Sequence, residues 1–336
     1  MHAHSTGGSS GRTLLSREEV HRELLCLLVR FDEFCRRHSL RYSLDFGTLL
    51  GAVRHRGFIP WDDDIDVSMP RPDLERLISL SGDLDDDLRL LTLESAPLAA
   101  AFPKLANTAI RAQEPQYAGH MDECLWIDIF PFDGVPADDA GLRREWAGVK
   151  RIHRRLIWSS LPDVGGMGKR AVKHPVAFQM RNHDVRAETA SVLSETLTPE
   201  RYESSTRVAP LLCLQRRAWS LPKDAYEETV ELEFEGHLFQ ACSCWHDELV
   251  GAYGGDYMTP PPVAERQTHS VSVWRVGGED SCGCESSERE SSPHVGEPQV
   301  GGEPQVGGGS HERGEPHDRG SAMPFAFRAS PGARAA

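Results

Sequence analysis

Hydrophobic positions in this chain fall into segments of different period. Val20, Leu24, Leu27, Phe31 and Phe34 recur at three- and four-residue intervals, the spacing of one helix face. Ser16 and Glu19 have capping-box spacing ahead of them, and Arg36, Arg37 and His38 suit the negative end of a helix dipole. The pattern predicts an amphipathic helix from about Arg17 to His38 with its stripe in the core. Leu40 to Leu44 reads as a short strand broken by Gly47-Thr48, and Leu49 to Val53 as a short helix; Gly57 and Pro60 then punctuate a loop. A second strand is expected from Asp63 to Met69, stopped by Pro70 and Pro72, with a helix from Asp73 to Leu80. Asp83 to Asp87 reads as a solvated acidic turn. A further strand centres on Trp126 to Phe130 and ends at Pro131. Gly141 to Trp158 is helical and basic on one side, Thr229 to Leu238 alternates like a strand pair around Gly236, and Trp245 to Tyr253 is helical. Between Leu161 and Arg217 the periodicity is too weak to assign elements.

Composition divides the chain. From Gly277 to Ala336, Gly, Ser, Glu, Pro and His dominate, and Val295 to Gln299 is nearly repeated by Val300 to Gln305. Such a segment buries too little apolar surface to offset its chain entropy, so residues 277–336 are expected to be a disordered tail. The Gly/Ser-rich residues 1–15 are expected to be disordered as well, leaving 16–276 as the folded domain. The formal net charge of −14 opposes nonspecific attraction to nucleic acid or anionic lipid. No stretch approaches the roughly 20 apolar residues of a membrane span, and residues 1–12 have no apolar signal core, so a cytoplasmic protein with reduced thiols is expected. The C-x-C pairs Cys242/Cys244 and Cys282/Cys284 are spaced more tightly than zinc-binding pairs usually are.

The chemistry concentrates in Trp61-Asp62-Asp63-Asp64-Ile65-Asp66-Val67. On a strand, Asp64 and Asp66 share one face while Ile65 and Val67 enter a core. Carboxylates so close raise each other's pKa unless a cation lies between them, and a divalent ion with oxygen ligands resolves the conflict. An EF-hand loop is excluded: with Asp62, Asp64 and Asp66 at its first acidic positions, Val67 and Asp73 stand where Gly and Glu are required. A glycosyltransferase D-x-D remains an alternative, although only about sixty residues precede Asp64, few for the nucleotide-binding half that such motifs usually follow. Asp128 is a third carboxylate within an apolar strand and should face a cation, a proton or water. Three acids from two strands fit a one- or two-metal phosphoryl-transfer centre. Upstream, Gly47 allows close backbone approach and Thr48 can cap a helix whose N-terminus would bind an anion. Arg54, His55 and Lys104 are further candidate phosphate contacts.

Residues 43–71, SLDFGTLLGAVRHRGFIPWDDDIDVSMPR, closely resemble the signature of the LicD family, which includes bacterial phosphocholine transferases, fukutin and fukutin-related protein. WIDIFPFDGVP (126–136), VELEFEGHLF (230–239) and GDYMTPPP (255–262) are similar to its later blocks. The likeness runs patchily from about residue 20 to 270; residues 161–217 show no clear match, and the chain from Gly277 onward is unlike the family. The resemblance implies an α+β, nucleotidyltransferase-like fold, a small mixed sheet flanked by helices. It implies that Gly47 and Thr48 contact phosphate, that Asp64, Asp66 and Asp128 hold magnesium, with manganese as the substitute, and that His269 is a candidate base. It implies transfer of phosphocholine or an alditol phosphate from a CDP-linked donor to a glycan or glycolipid hydroxyl, as in lipopolysaccharide or teichoic acid biosynthesis. No nucleic acid partner is expected, and membrane contact would be peripheral. The alternatives are transfer of a nucleoside monophosphate, a nucleotide-sugar glycosyltransferase, and a binding protein with a degenerate site.

Overall fold

The computed structural model describes residues 12–113, 124–160, 184–213, 215, 217–266 and 271–276. The chain opens with β1 (Arg12–Leu14) and α1 (Arg17–Arg37). Ser16 caps α1 in a reciprocal capping box with Glu19, and acidic and basic residues occupy the matching ends of its dipole. β2 (Ser43–Leu44), α2 (Phe46–His55), β3 (Asp66–Pro70) and α3 (Arg71–Ser79) follow. Next come β4 (Leu88–Leu91), β5 (Lys104–Asn107), β6 (Ile110–Gln113), β7 (Leu125–Val135) and α4 (Asp139–Ser160). α5 (Val185–Thr196), α6 (Pro199–Ser204), β8 (Arg207–Ala209), β9 (Leu221–Pro222) and α7 (Lys223–Glu227) lie beyond. β10 (Thr229–Phe234), β11 (His237–Cys242), α8 (Trp245–Tyr253) and β12 (Ser272–Val276) complete the described elements.

The central sheet is mixed, with order β2-β3-β7-β5-β4; β3 and β7 run parallel and the other neighbours antiparallel. One face is apolar. Ile65, Val67 and Met69 alternate with Ile127 and Ile129, all fully buried, and join Leu24, Leu27, Leu28 and Phe31 of α1 in the main core. The opposite side chains of β3 and β7, Asp66, Ser68, Trp126, Asp128 and Phe130, occupy the other face. The period-two pattern therefore places a core on one side and chemistry on the other. α3 is fastened to the far end of β7 by a buried pair, Arg71 Nε donating to Asp133 Oδ1 at 2.7 Å.

Several elements differ from the sequence reading. Residues 12–14 are not disordered: β1 pairs with β12, which also pairs with β6, because a distant segment supplies the partner strand. β7 runs through Pro131. The N–H of Asp128 points to β3, on Ile65 O, and that of Ile129 to Pro103 O, so position 131 faces the side where β5 has already departed, and no ladder bond is lost. α3 likewise includes Pro72 in its first turn, where a missing N–H costs nothing. The acidic turn at Asp83 to Asp87 is not merely solvated: Arg30 of α1 donates to Asp85 and Asp87, each at 2.8 Å. The hairpin around Gly236 extends to Cys242, with Glu235 and Gly236 both at positive φ, the two-residue turn matched to strand twist. Part of the unassigned region is α5, α6 and β8. Residues 277–336, with the tail and Cys282/Cys284, lie outside the described residues.

Candidate active site

Asp45, not Thr48, caps α2: its side chain accepts from the N–H of Phe46 at 2.7 Å. Phe46 has φ 39°, a conformation rare for a bulky residue and costing about 1–3 kcal/mol. The Asp45 cap and an edge contact of the Phe46 ring with Phe130, 4.9 Å between centroids, hold it there. Gly47 follows on the first turn. A Cβ at Gly47 would collide with the carboxylate of Asp62, so the absent side chain lets this acid pack directly against the turn. Thr48 is buried and turned the other way; its hydroxyl accepts the N–H of Asp66 at 2.9 Å and ties α2 to the start of β3.

Asp66 and Asp128 sit directly opposite each other in the parallel β3–β7 register, on the same face. Asp64 lies just before β3 and lines an open cleft with Asp63, Trp126, Asp128 and Leu24. Burial holds the Asp66 carboxyl well above the usual carboxylate range, reinforced by Asp64, Asp128, Asp62 and Asp45. Lys104 opposes Asp128 from β5. Its ammonium is 2.7 Å from Asp128 Oδ1 and 4.1 Å from the centroid of the Trp126 ring. Lys104 is thus held in an internal ion pair and neutralises part of the acidic cluster.

Among the described residues no three His, Cys, Asp or Glu groups are gathered into a set able to hold a metal ion. The expected three-carboxylate cage is therefore not preformed. Two in-register carboxylates in an acid-rich pocket still fit a hard cation such as magnesium. That ion takes one or two carboxylates and completes its shell with water and phosphate oxygens.

Arg54 and His55 lie at the opposite end of α2 from Gly47. Arg54 Nη1 donates to Tyr257 O at 3.0 Å, and the His55 ring stands edge-on to Trp61. Burial and the neighbouring Arg54 lower the His55 pKa. Neither is at the helix N-terminus. His269 lies outside the described residues.

Sequence reasoning missed a buried acidic pair behind the turn. Asp45 and Glu248 of α8 are fully buried and hydrogen-bonded to each other, and Cys242 Sγ donates to Glu248 Oε2 at 3.0 Å. Burial raises both carboxyls, Glu248 to about 7. Two carboxyls in contact without a cation share a proton. Asp45 was legible as a capping residue type; nothing local marks Glu248.

Residues 39–146 match the profile of the family described as LicD/FKTN/FKRP, nucleotidyltransferase domain. The matched span contains the α2 turn, the Asp66 strand and the Asp128 strand. Over this span the chain is similar to the LicD family. It is 28% identical over 257 residues to the lipopolysaccharide cholinephosphotransferase LicD of Haemophilus influenzae, covering 74% of this chain and 94% of that one. An uncharacterised protein of Rickettsia prowazekii is 46% identical over 64 residues, covering 19% of this chain and 21% of its own, and one of Rickettsia typhi is 46% identical over 41 residues, covering 12% and 13%. The likeness to the Haemophilus protein extends well beyond the matched span. No helix among the described residues is long and apolar enough to cross a membrane.

Proposed function

We propose that this chain is a transferase that moves a phosphate-linked alcohol, with phosphocholine the first candidate, from a CDP-linked donor to a hydroxyl of a glycan or glycolipid. The observation that carries the reading is the in-register pair Asp66/Asp128, tied through Thr48 to the turn at Gly47, inside a span similar to the LicD family. A short helix ahead of an acidic strand, with a further acid on the parallel neighbour, also supports the nucleotidyltransferase-like description of the fold.

The donor's phosphates would lie over Gly47, where backbone N–H groups of the first α2 turn face them. Asp64, Asp66 and Asp128 would hold magnesium, which when bound offsets phosphate charge and stabilises the attacking and leaving oxygens. Lys104 orients Asp128 and offsets its charge. Thr48 fixes the distance between the phosphate turn and the Asp66 strand. The acceptor hydroxyl oxygen attacks the phosphorus that bears the alcohol, the bond to the CMP oxygen breaks, and the hydroxyl proton passes to water or a carboxylate. Products are CMP and the phosphoalcohol-modified glycan.

The test is incubation of the purified protein with magnesium, a lipo-oligosaccharide acceptor and labelled CDP-choline, CDP-glycerol or CDP-ribitol. Label on the glycan with release of CMP is the expected result. Transfer from a nucleotide sugar, or of the nucleoside monophosphate itself, would overturn it.

A further inference from the structure

Tyr253 is the last residue of α8, the helix that packs on α2 and supplies Glu248 to Asp45. Its hydroxyl oxygen is buried and has no hydrogen-bond partner among the described residues. Buried hydroxyls almost always have a partner, and one left without it carries the full cost of its lost hydration. The surroundings make the vacancy specific. The phenol lies within electrostatic range of Asp62, Asp66, Asp45 and Asp64, and also of Arg54. Burial and these carboxylates hold the phenol in its protonated form, so it is an O–H donor at neutral pH. Nothing in the transfer reading above uses it.

From this geometry we propose that Tyr253 is a substrate-binding residue whose O–H donates to a phosphate oxygen of the bound nucleotide diphosphate. The inference rests on the site proposed above and extends it to a side chain outside the acidic motif. A phosphate oxygen, brought in by a cation on the acidic cluster, is an acceptor that an O–H donor here can serve. Arg54, within electrostatic range of the phenol, offsets the charge of such an oxygen. The hydroxyl then gains in the complex the hydrogen bond that it lacks among the described residues.

Tyr253→Phe removes only this oxygen. In the full-length protein its melting temperature should equal or exceed the parent's, because no hydrogen bond among the described residues is lost. Calorimetric titration with CDP and with CDP-choline, each with magnesium, should show both bound roughly 10- to 100-fold more weakly, the loss of one hydrogen bond to a charged group. Parent-like affinity for both ligands would overturn the assignment, and so would a melting temperature several degrees lower, which would mean that the hydroxyl is already satisfied within the protein. Asp66→Asn separates this from the site reading. If Asp66→Asn retains transfer, the site itself is misplaced; if it abolishes transfer while Tyr253→Phe binds like the parent, only the role of Tyr253 fails.

Discussion

Lys104 and Asp128 form a 2.7 Å ion pair directly across the β5–β7 register, on the sheet face that carries Asp66. Both side chains are largely buried. Removing one member of such a pair leaves a charge without its counter-ion and costs about 3–5 kcal/mol. Lys104→Met should therefore lower the melting temperature in chelator, and magnesium should recover more stability in this variant than in the parent. Equal responses to magnesium would show that no cation acts on Asp128.

Asp66→Asn tests the acid cluster from the other side. Burial and four neighbouring carboxylates disfavour the Asp66 charge. The isosteric amide should leave thermal stability in chelator unchanged or higher while abolishing transfer. A marked fall in stability would assign Asp66 a structural role.

Gly47→Val addresses the phosphate turn. The added side chain meets the Asp62 carboxylate, the far end of a side chain that can swing away, so the cost to folding should stay near 1 kcal/mol. Donor binding should weaken at least tenfold, because the branched side chain and the displaced Asp62 carboxylate crowd the first turn of α2. Calorimetry with CDP-choline checks this, and parent-like affinity would make Gly47 only a bend.

Glu248 should give the protein an unusual pH dependence. Its folded pKa, about 7, lies above the ordinary value of 4.5, through burial among Asp45, Cys242 and Cys244. The folded state therefore binds more protons than the unfolded one between these values, so the contribution is fully present below pH 4.5 and is lost as pH rises towards 7. Asp45 is raised as well and acts in the same direction. Denaturant midpoints across pH 5 to 8 should fall for the parent and flatten in Glu248→Gln. An unchanged slope in the variant would sink the shared-proton pair.

The sequence by itself determined what depends on neighbouring residues. The α1 stripe, its capping box, the alternation of Ile65, Val67 and Met69 against Asp64 and Asp66, and the hairpin turn at Glu235-Gly236 are all local patterns, and the structure contains each. The identity of the acidic motif and its family likeness are local too. Tertiary structure decided which groups meet. Only the parallel β3–β7 register brings Asp128 opposite Asp66, across a separation of 62 residues, and only the β5–β7 register gives Lys104 to Asp128. The helix cap moved from Thr48 to Asp45 because the Thr48 hydroxyl has a stronger claim in the buried N–H of Asp66. Pro131 looked like a strand end because chain composition does not record which side of a strand lacks a neighbour. Glu248 and Tyr253 carry no local signal at all. They enter the site because α8 packs on α2, and burial, a property of the folded chain alone, turns an ordinary carboxyl and an ordinary phenol into groups that require specific partners.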